Sequence, residues 1–126
     1  MVRNTPSATS DWSDIESLQR KLVQTVEAMA SMSASVGAAK HVIEYDGDRR
    51  KTALARAMAV SLAAGSSAAK SESEARASAD YAKAMSAIGK QHQAALTEVE
   101  SYQCLKLQWE TARSLLSMQK EAVKHL

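Results

Sequence analysis

The stretch that decides the fold is IESLQRKLVQTVEAMASMSASVGAAKHVI, residues 15–43. Apolar side chains recur along it at alternating spacings of three and four residues, interrupted only by Thr25. The members of this seam are Ile15, Leu18, Leu22, Met29, Met32, Val36, Ala39 and Ile43. A repeat of this kind, sustained for four heptads, is typical of α-helices that pair along one apolar stripe. Ser13-x-x-Glu16 matches a capping box and predicts where the helix begins.

The seam shifts register after Ile43. A step of eleven residues to Leu54 resumes the stripe, which corresponds to a four-residue insertion in the heptad pattern. Asp46-Gly47-Asp48 lies inside this step. We favour one continuous helix over about 13–64, because residues 49–64 are themselves strongly helical in composition. A turn at Asp46-Gly47-Asp48 is the alternative.

A second long helix is predicted over about 79–124, after a connector of residues 65–78 that opens on the helix-ending glycine Gly65. Its apolar stripe comprises Tyr81, Met85, Ile88, Leu96, Val99, Tyr102, Leu105, Trp109, Leu116 and Val123. His92 falls on the same stripe, so we expect it to be packed or bridging. The fold class is therefore all-α: a long antiparallel helical hairpin, coiled-coil-like, forming one domain over 11–126 behind a flexible tail of residues 1–10.

Composition supports helices and excludes strand-based folds. The chain has 126 residues with 24 Ala, 17 Ser, only 4 Gly, 1 Pro and no Phe. Proline breaks helices, and the scarcity of aromatic and β-branched residues disfavours a sheet. Alanine-rich helices bury little area per residue but approach closely, so we expect assembly into a homo-oligomer.

Cysteine usage and hydropathy bear on location. The lone Cys104 has no disulfide partner within the chain, which fits a reducing compartment. No apolar run approaches the roughly 18 residues of a membrane helix, and the first residues lack the pattern of a secretory signal. We expect a cytoplasmic protein that does not bind membranes.

Enzyme and metal signatures are weak, and we predict no catalytic activity, no cofactor and no metal site. Ser67-Ala68-Ala69-Lys70 matches the S-x-x-K nucleophile pattern without its companion motifs. His41 and Glu44 have the spacing of half a helical metal site, but the second long helix offers no matching E-x-x-H pattern. Asp46-Gly47-Asp48 resembles only the opening of a calcium loop. Cys104 is interpreted as a small apolar filler.

Basic residues offer the best candidate site. Arg49, Arg50, Lys51 and Arg56 fall within eight residues. Clustered cations bind a phosphate backbone in a salt-dependent manner, but they are also common on solvated helix faces. Lys106, Arg113 and Lys120 repeat every seven residues, and for them the solvated face is favoured. Tyr81, Tyr102 and Trp109 have rings suited to stacking on bases, but their place on the stripe favours core packing.

The sequence from about 45 to 126 resembles the small helical recombination proteins of phages, in particular the recombination mediators of T4-type phages. The similarity lies in the basic segment Arg50-Lys51-Thr52-Ala53-Leu54-Ala55-Arg56-Ala57, in Gly65 and in the ending Ala122-Val123-Lys124-His125-Leu126. Ala55-Arg56-Ala57 has one basic residue where the family has two. The resemblance implies ring-like homo-oligomers that bind single-stranded DNA and load a recombinase onto strands covered by a single-strand-binding protein. It assigns phosphate contact to Arg49, Arg50, Lys51 and Arg56.

Two functional hypotheses follow. The first is a non-enzymatic accessory protein of phage-type DNA recombination or replication, whose partners are single-stranded DNA, further copies of itself, a recombinase and a single-strand-binding protein. The alternative is a coiled-coil adaptor or inhibitor with no nucleic-acid role, in which the face formed by Met29, Met32 and Val36 binds the partner.

Overall fold

The computed structural model describes residues 12–125. Four α-helices follow one another in this range: α1 (Ile15–Glu44), α2 (Asp46–Ala63), α3 (Ala68–Ala77) and α4 (Ala79–Lys124). No strand is present among the described residues. The all-α prediction is confirmed, and the tail predicted over residues 1–10 lies outside the described range.

The residue that caps α1 is Asp14, one position after the Ser13 expected from the capping box. Its Oδ1 accepts a hydrogen bond from the backbone N–H of Ser17 at 2.7 Å, and its Oδ2 accepts one from the Ser17 hydroxyl at 3.0 Å. The backbone hydrogen bond, reinforced by the hydroxyl, lowers the pKa of Asp14. A carboxylate at this position also interacts favourably with the positive end of the helix dipole.

A single residue, Tyr45, separates α1 from α2, where one continuous helix was favoured. Its backbone has φ −97° and ψ 11°, outside helical geometry. The hydrogen bonds nevertheless run through the junction, from Tyr45 N–H to the His41 carbonyl and from Arg49 N–H to the Tyr45 carbonyl, both at 3.0 Å. The register shift read from the sequence is therefore absorbed by a distortion at one residue, immediately before Asp46.

The end of α2 matches the glycine signal. Gly65 has φ +97°, which only glycine adopts readily. Its N–H bonds to the Leu62 carbonyl, and the N–H of Ser66 bonds to the Ser61 carbonyl, both at 3.1 Å. These two bonds form a Schellman motif and satisfy carbonyls that the helix end leaves without partners.

The predicted connector contains a helix of its own, α3, bounded by serine caps. The Ser67 hydroxyl accepts from Lys70 N–H at 3.3 Å, and the Ser78 hydroxyl accepts from Tyr81 N–H at 3.2 Å to cap α4. Helix α3 packs against α2. Its inward residues Ser71 and Ala75 are fully buried, and the Ser71 hydroxyl donates to the Ala68 carbonyl at 2.8 Å. The S-x-x-K serine is thus a helix cap.

Contacts divide the described chain into two compact units. Unit 1 comprises the residues up to Ala34 and those from Glu100 onward, and unit 2 comprises Ser35–Val99. The core of unit 1 is formed by Leu18 of α1 with Ala112 and Leu116 of α4. Four half-buried side chains surround it: Trp12, Ile15, Leu22 and Leu115. Trp12 thus packs at the start of α1, and the Lys21 ammonium lies 5.4 Å from its ring centre.

The seam of α1 is its packed face. All nine positions from Ile15 to Ile43 are buried or half-buried, including the interruption at Thr25. The Thr25 hydroxyl, 2% exposed, donates to the carbonyls of Lys21 and Leu22 at 2.8 and 3.0 Å. This local bonding lets a polar side chain occupy an apolar face. The stripe of α4 is likewise buried or half-buried, except Val123, which is exposed.

We predict that Leu18→Ala destabilises the protein by about 2–5 kcal/mol, because Leu18 is fully buried against Ala112 and Leu116. Urea unfolding followed by circular dichroism measures the change. Val23→Ala is the matched control on the same helix, since Val23 is 58% exposed, and it should change stability by no more than about 0.5 kcal/mol. Equal losses for the two variants would contradict this core.

Candidate functional site: a groove between α2 and α4

Unit 2 contains an open groove of about 580 Å³ between α2 and the first part of α4. Small side chains supply much of its lining: Ala53, Ala57, Ala84 and Ala87. These alanines leave the two helices without bulky side chains to fill the space between them. None of the residues of α2 is fully buried, so one side of this helix remains accessible to a ligand.

The groove also carries charged and aromatic groups. Arg49 and Arg56 line it on α2, and two tyrosines line it, Tyr45 at the α1–α2 junction and Tyr81 in the first turn of α4. Its remaining polar lining is Asp48, Thr52, Asp80 and Gln91. Two arginines and two aspartates give formal charges that cancel. The groove therefore offers separated positive and negative groups over an apolar base.

The four predicted phosphate-contacting residues occupy three different environments. Arg49 and Arg56 are seven residues apart, so they share one helix face, and both line the groove. Arg50 donates from Nε to Asp46 Oδ2 at 2.8 Å. Lys51 is exposed and lies outside the groove lining. The structure thus brings together two of the four.

Asp46 connects the start of α2 to α4. In addition to its bond with Arg50, its Oδ1 lies 3.4 Å from Nδ1 of His92, and both of these atoms are buried and make no hydrogen bond. The hydrogen bond from Arg50, followed by the charges of Arg50 and His92, lowers the pKa of Asp46. His92 is half-buried and bridges two helices, which confirms its predicted role.

The contact of Asp46 with His92 shows which part of α4 lies opposite the start of α2, and so sets the direction of the groove. Tyr45 precedes Asp46 and therefore lies near the level of His92 on α4. Tyr81 is eleven residues before His92 on the same helix, a distance of roughly 16 Å at 1.5 Å per residue. The two tyrosines accordingly mark opposite ends of the groove, with Arg49 and Arg56 between them along α2.

The other cations are paired or dispersed. Arg76 contacts Glu72 at 3.1 Å, and Lys124 lies 3.9 Å from Glu121. The Arg113 guanidinium lies 5.3 Å from the ring centre of Trp109. Lys83 and Lys90 are exposed on α4 and do not line the groove. None of these five cations lines the groove.

The metal half-site suggested by the spacing of His41 and Glu44 is not completed by other residues in the described part of the chain. Residues 12–125 contain no group of three or more His, Cys, Asp or Glu side chains placed to hold a metal ion. The His41 ring packs on that of Tyr45, with ring centres 4.4 Å apart. Cys104 is exposed, so it does not fill an apolar core as its interpretation as a small apolar filler implies. None of the described helices is long and apolar enough to cross a membrane.

Sequence reasoning missed the aromatic part of this site. Tyr45 was not singled out, although it stands at the register shift where the apolar stripe changes face. Tyr81 was assigned to the core, and it is half-buried, but it also lines the groove. The sequence signal that could have identified them is that both tyrosines adjoin helix boundaries, where side chains are less enclosed by neighbouring turns.

Comparisons with protein-family models, curated proteins and solved structures find no match to this chain. The assignment of function therefore rests on the groove and on the sequence.

The lowered pKa of Asp46 predicts a pH dependence of stability. A carboxylate whose folded-state pKa lies below the ordinary 3.8 contributes stability above that value and loses it as the pH falls through the folded-state pKa. We expect the melting temperature of the native protein to exceed that of Asp46→Asn at neutral pH and to converge with it below pH 3.8. Thermal melts from neutral pH down to about pH 2 measure this. A gap that stays constant at all pH values would refute the role of the Asp46 charge.

Proposed function

We propose that the protein is an accessory protein of phage-type DNA recombination or replication that binds single-stranded DNA in the groove between α2 and α4. The observation that carries the proposal is that Arg49 and Arg56 line the same groove as Tyr45 and Tyr81. Guanidinium groups contact phosphates, and aromatic rings stack on bases, which is the usual combination in proteins that bind single strands. The resemblance to phage recombination mediators supports the biological setting.

The acidic residues of the groove limit the expected affinity. Asp48 and Asp80 offset the formal charges of the two arginines. Non-specific binding of nucleic acid is dominated by neutralised phosphates, so a groove with few free cations binds weakly and loses that binding as salt rises. We therefore expect micromolar affinity per chain, raised by several copies acting together.

Within unit 2 the contacts support an antiparallel hairpin. Ser35 donates to Glu98 at 2.6 Å, and Asp46 contacts His92. As residue numbers rise along α1 and α2, the numbers of their partners on α4 fall. This is the order of contacts in an antiparallel pair, and we propose that the hairpin is the protomer of a homo-oligomer.

Self-association is expected because large apolar side chains remain exposed. Val23 and Val26 of α1 are 58% and 47% exposed, and Leu107 and Met118 of α4 are 63% and 66% exposed. Sedimentation equilibrium at micromolar concentration should give a multiple of the 13.6 kDa chain mass. A monomer under these conditions would refute the oligomer, and Met118→Lys should lower the measured mass if its surface takes part.

A protein-binding adaptor is the second candidate. Val60 and Leu62 of α2 are 71% and 47% exposed, and an apolar groove with balanced charges accommodates an amphipathic helix. The face first expected to bind a partner is less available, because Val36 is buried and Met29 and Met32 are half-buried. Under this alternative the groove, rather than that face, is the binding surface.

Variants within α2 test the DNA proposal. Arg49→Ala and Arg56→Ala should each weaken binding of a labelled single-stranded oligonucleotide and flatten the dependence of log affinity on log salt by about 0.7. Lys51→Ala is the matched control, since Lys51 is a cation of the same helix outside the groove, and it should have a smaller effect. Fluorescence anisotropy at about 50 and about 200 mM salt measures both quantities.

Two outcomes would redirect the assignment. Equal losses for Arg56→Ala and Lys51→Ala would place binding on the general surface of α2 and remove the groove from the proposal. Absence of binding by the folded protein at about 50 mM salt would refute DNA binding altogether and leave the adaptor function.

A further inference from the structure

We propose that Tyr45 and Tyr81 are stacking platforms for unstacked nucleobases, so that the groove holds a short stretch of single strand and rejects duplex. This inference rests on the proposed function, and it identifies the form of nucleic acid and the side chains that recognise it.

Tyr45 is held in a fixed position at the end of α1. It is 41% exposed and lines the groove. His41 packs on its ring at 4.4 Å between centres with a tilt of 44°. The hydrogen bond from Tyr45 N–H to the His41 carbonyl fixes the backbone at the same point. A ring positioned in this way loses little freedom when a base stacks on it.

Tyr81 is fixed by the cap of α4. Its N–H bonds to the Ser78 hydroxyl, which also donates to the Ala75 carbonyl at 2.7 Å. Ala75 is fully buried, so this hydrogen-bonded turn is tied to the interior of unit 2. The half-buried Tyr81 side chain faces the groove from a rigid first turn.

The spacing of groups favours a strand over a single nucleotide. Tyr81 lies roughly 16 Å along α4 from the level of Tyr45, and Arg49 and Arg56 are about 10 Å apart along α2. The arginines leave α2 about two helical turns apart, and we place each on a different phosphate of the same strand. The alanines between them leave room for bases over an apolar surface.

The acidic residues fit this arrangement. Asp80 is adjacent to Tyr81 in sequence, Asp48 lies one helical turn after Tyr45, and both line the groove. Carboxylates accept hydrogen bonds from N–H groups on base edges and repel phosphates. They therefore direct bases toward the two ends of the groove, where the tyrosine rings lie, and phosphates toward the arginines. The bases of a duplex are stacked on one another and paired, so neither face of a base is available to the tyrosine rings.

Oligonucleotides with and without bases separate the contributions. The probes are a labelled oligothymidylate, an abasic oligonucleotide of the same length and a duplex of that length, measured by anisotropy with the full chain at about 50 mM salt. We expect the oligothymidylate to bind most tightly. Tyr45→Leu and Tyr81→Leu should each weaken its binding about tenfold and leave abasic binding unchanged.

Conservative and remote variants provide the controls. Tyr45→Phe and Tyr81→Phe keep the rings and should retain binding. Tyr102→Leu removes a tyrosine of α4 outside the groove and should leave the affinity for oligothymidylate unchanged. Circular dichroism verifies folding, and if a leucine variant unfolds, the comparison of oligothymidylate with the abasic probe still tests the inference.

The outcomes distinguish the inference from the function on which it rests. Equal binding of the oligothymidylate and the abasic probe, or of single strand and duplex, would overturn base stacking and leave phosphate binding intact. Binding of none of the three probes by the folded protein would overturn both and favour a protein helix as the occupant of the groove.

Discussion

The groove depends on the contact of Asp46 with α4. Asp46 is the first residue of α2, and its carboxylate receives Arg50 from its own helix while lying 3.4 Å from His92. This contact sets α2 against α4 at one end. At the other end α2 turns back through Gly65 and packs against α3. Because both ends are held, the alanine-lined segment between them stays open without requiring a fully buried side chain in α2.

Small side chains explain why a helical protein of this size carries an open site. Leucine or phenylalanine side chains on facing helices would fill the space between those helices, whereas alanine side chains fill little of it. Here the buried positions of unit 2 include Ala39, Ala75 and Ala95, which allow close packing elsewhere, while the alanines facing the groove meet no large partner. Alanine therefore produces both close contacts and an open groove, depending on which side chain faces it from the neighbouring helix.

The packed helix faces could largely be predicted from the sequence, whereas the exact helix boundaries could not. Every apolar position that the three–four spacing identified from Ile15 to Ile43 is buried or half-buried, and Gly65 marked the end of α2. The cap at Asp14 was displaced by one residue because Ser13 and Asp14 are both good capping residues. The register shift after Ile43 left open a continuous helix or a turn at Asp46-Gly47-Asp48, and the structure has a distortion at Tyr45 through which the hydrogen bonds continue. The helix in the connector has Ser71 and Ala75 fully buried and packs against α2, a tertiary contact that periodicity does not encode.

The basic cluster shows why proximity in sequence is a poor guide to a site on a helix. Successive residues are rotated by 100°, so four cations within eight residues spread around the axis unless their spacing follows the helical repeat. Only Arg49 and Arg56, seven apart, share a face. Arg50 forms an ion pair instead, because Asp46 lies four residues before it on the same helix, at the spacing that favours such a pair. The pairing with Asp46 withdraws one cation from ligands and at the same time holds the helix that presents the other two. The cation paired with Asp46 and the cations that we propose to contact a ligand are therefore neighbours in sequence, separated by the angle at which each leaves the helix.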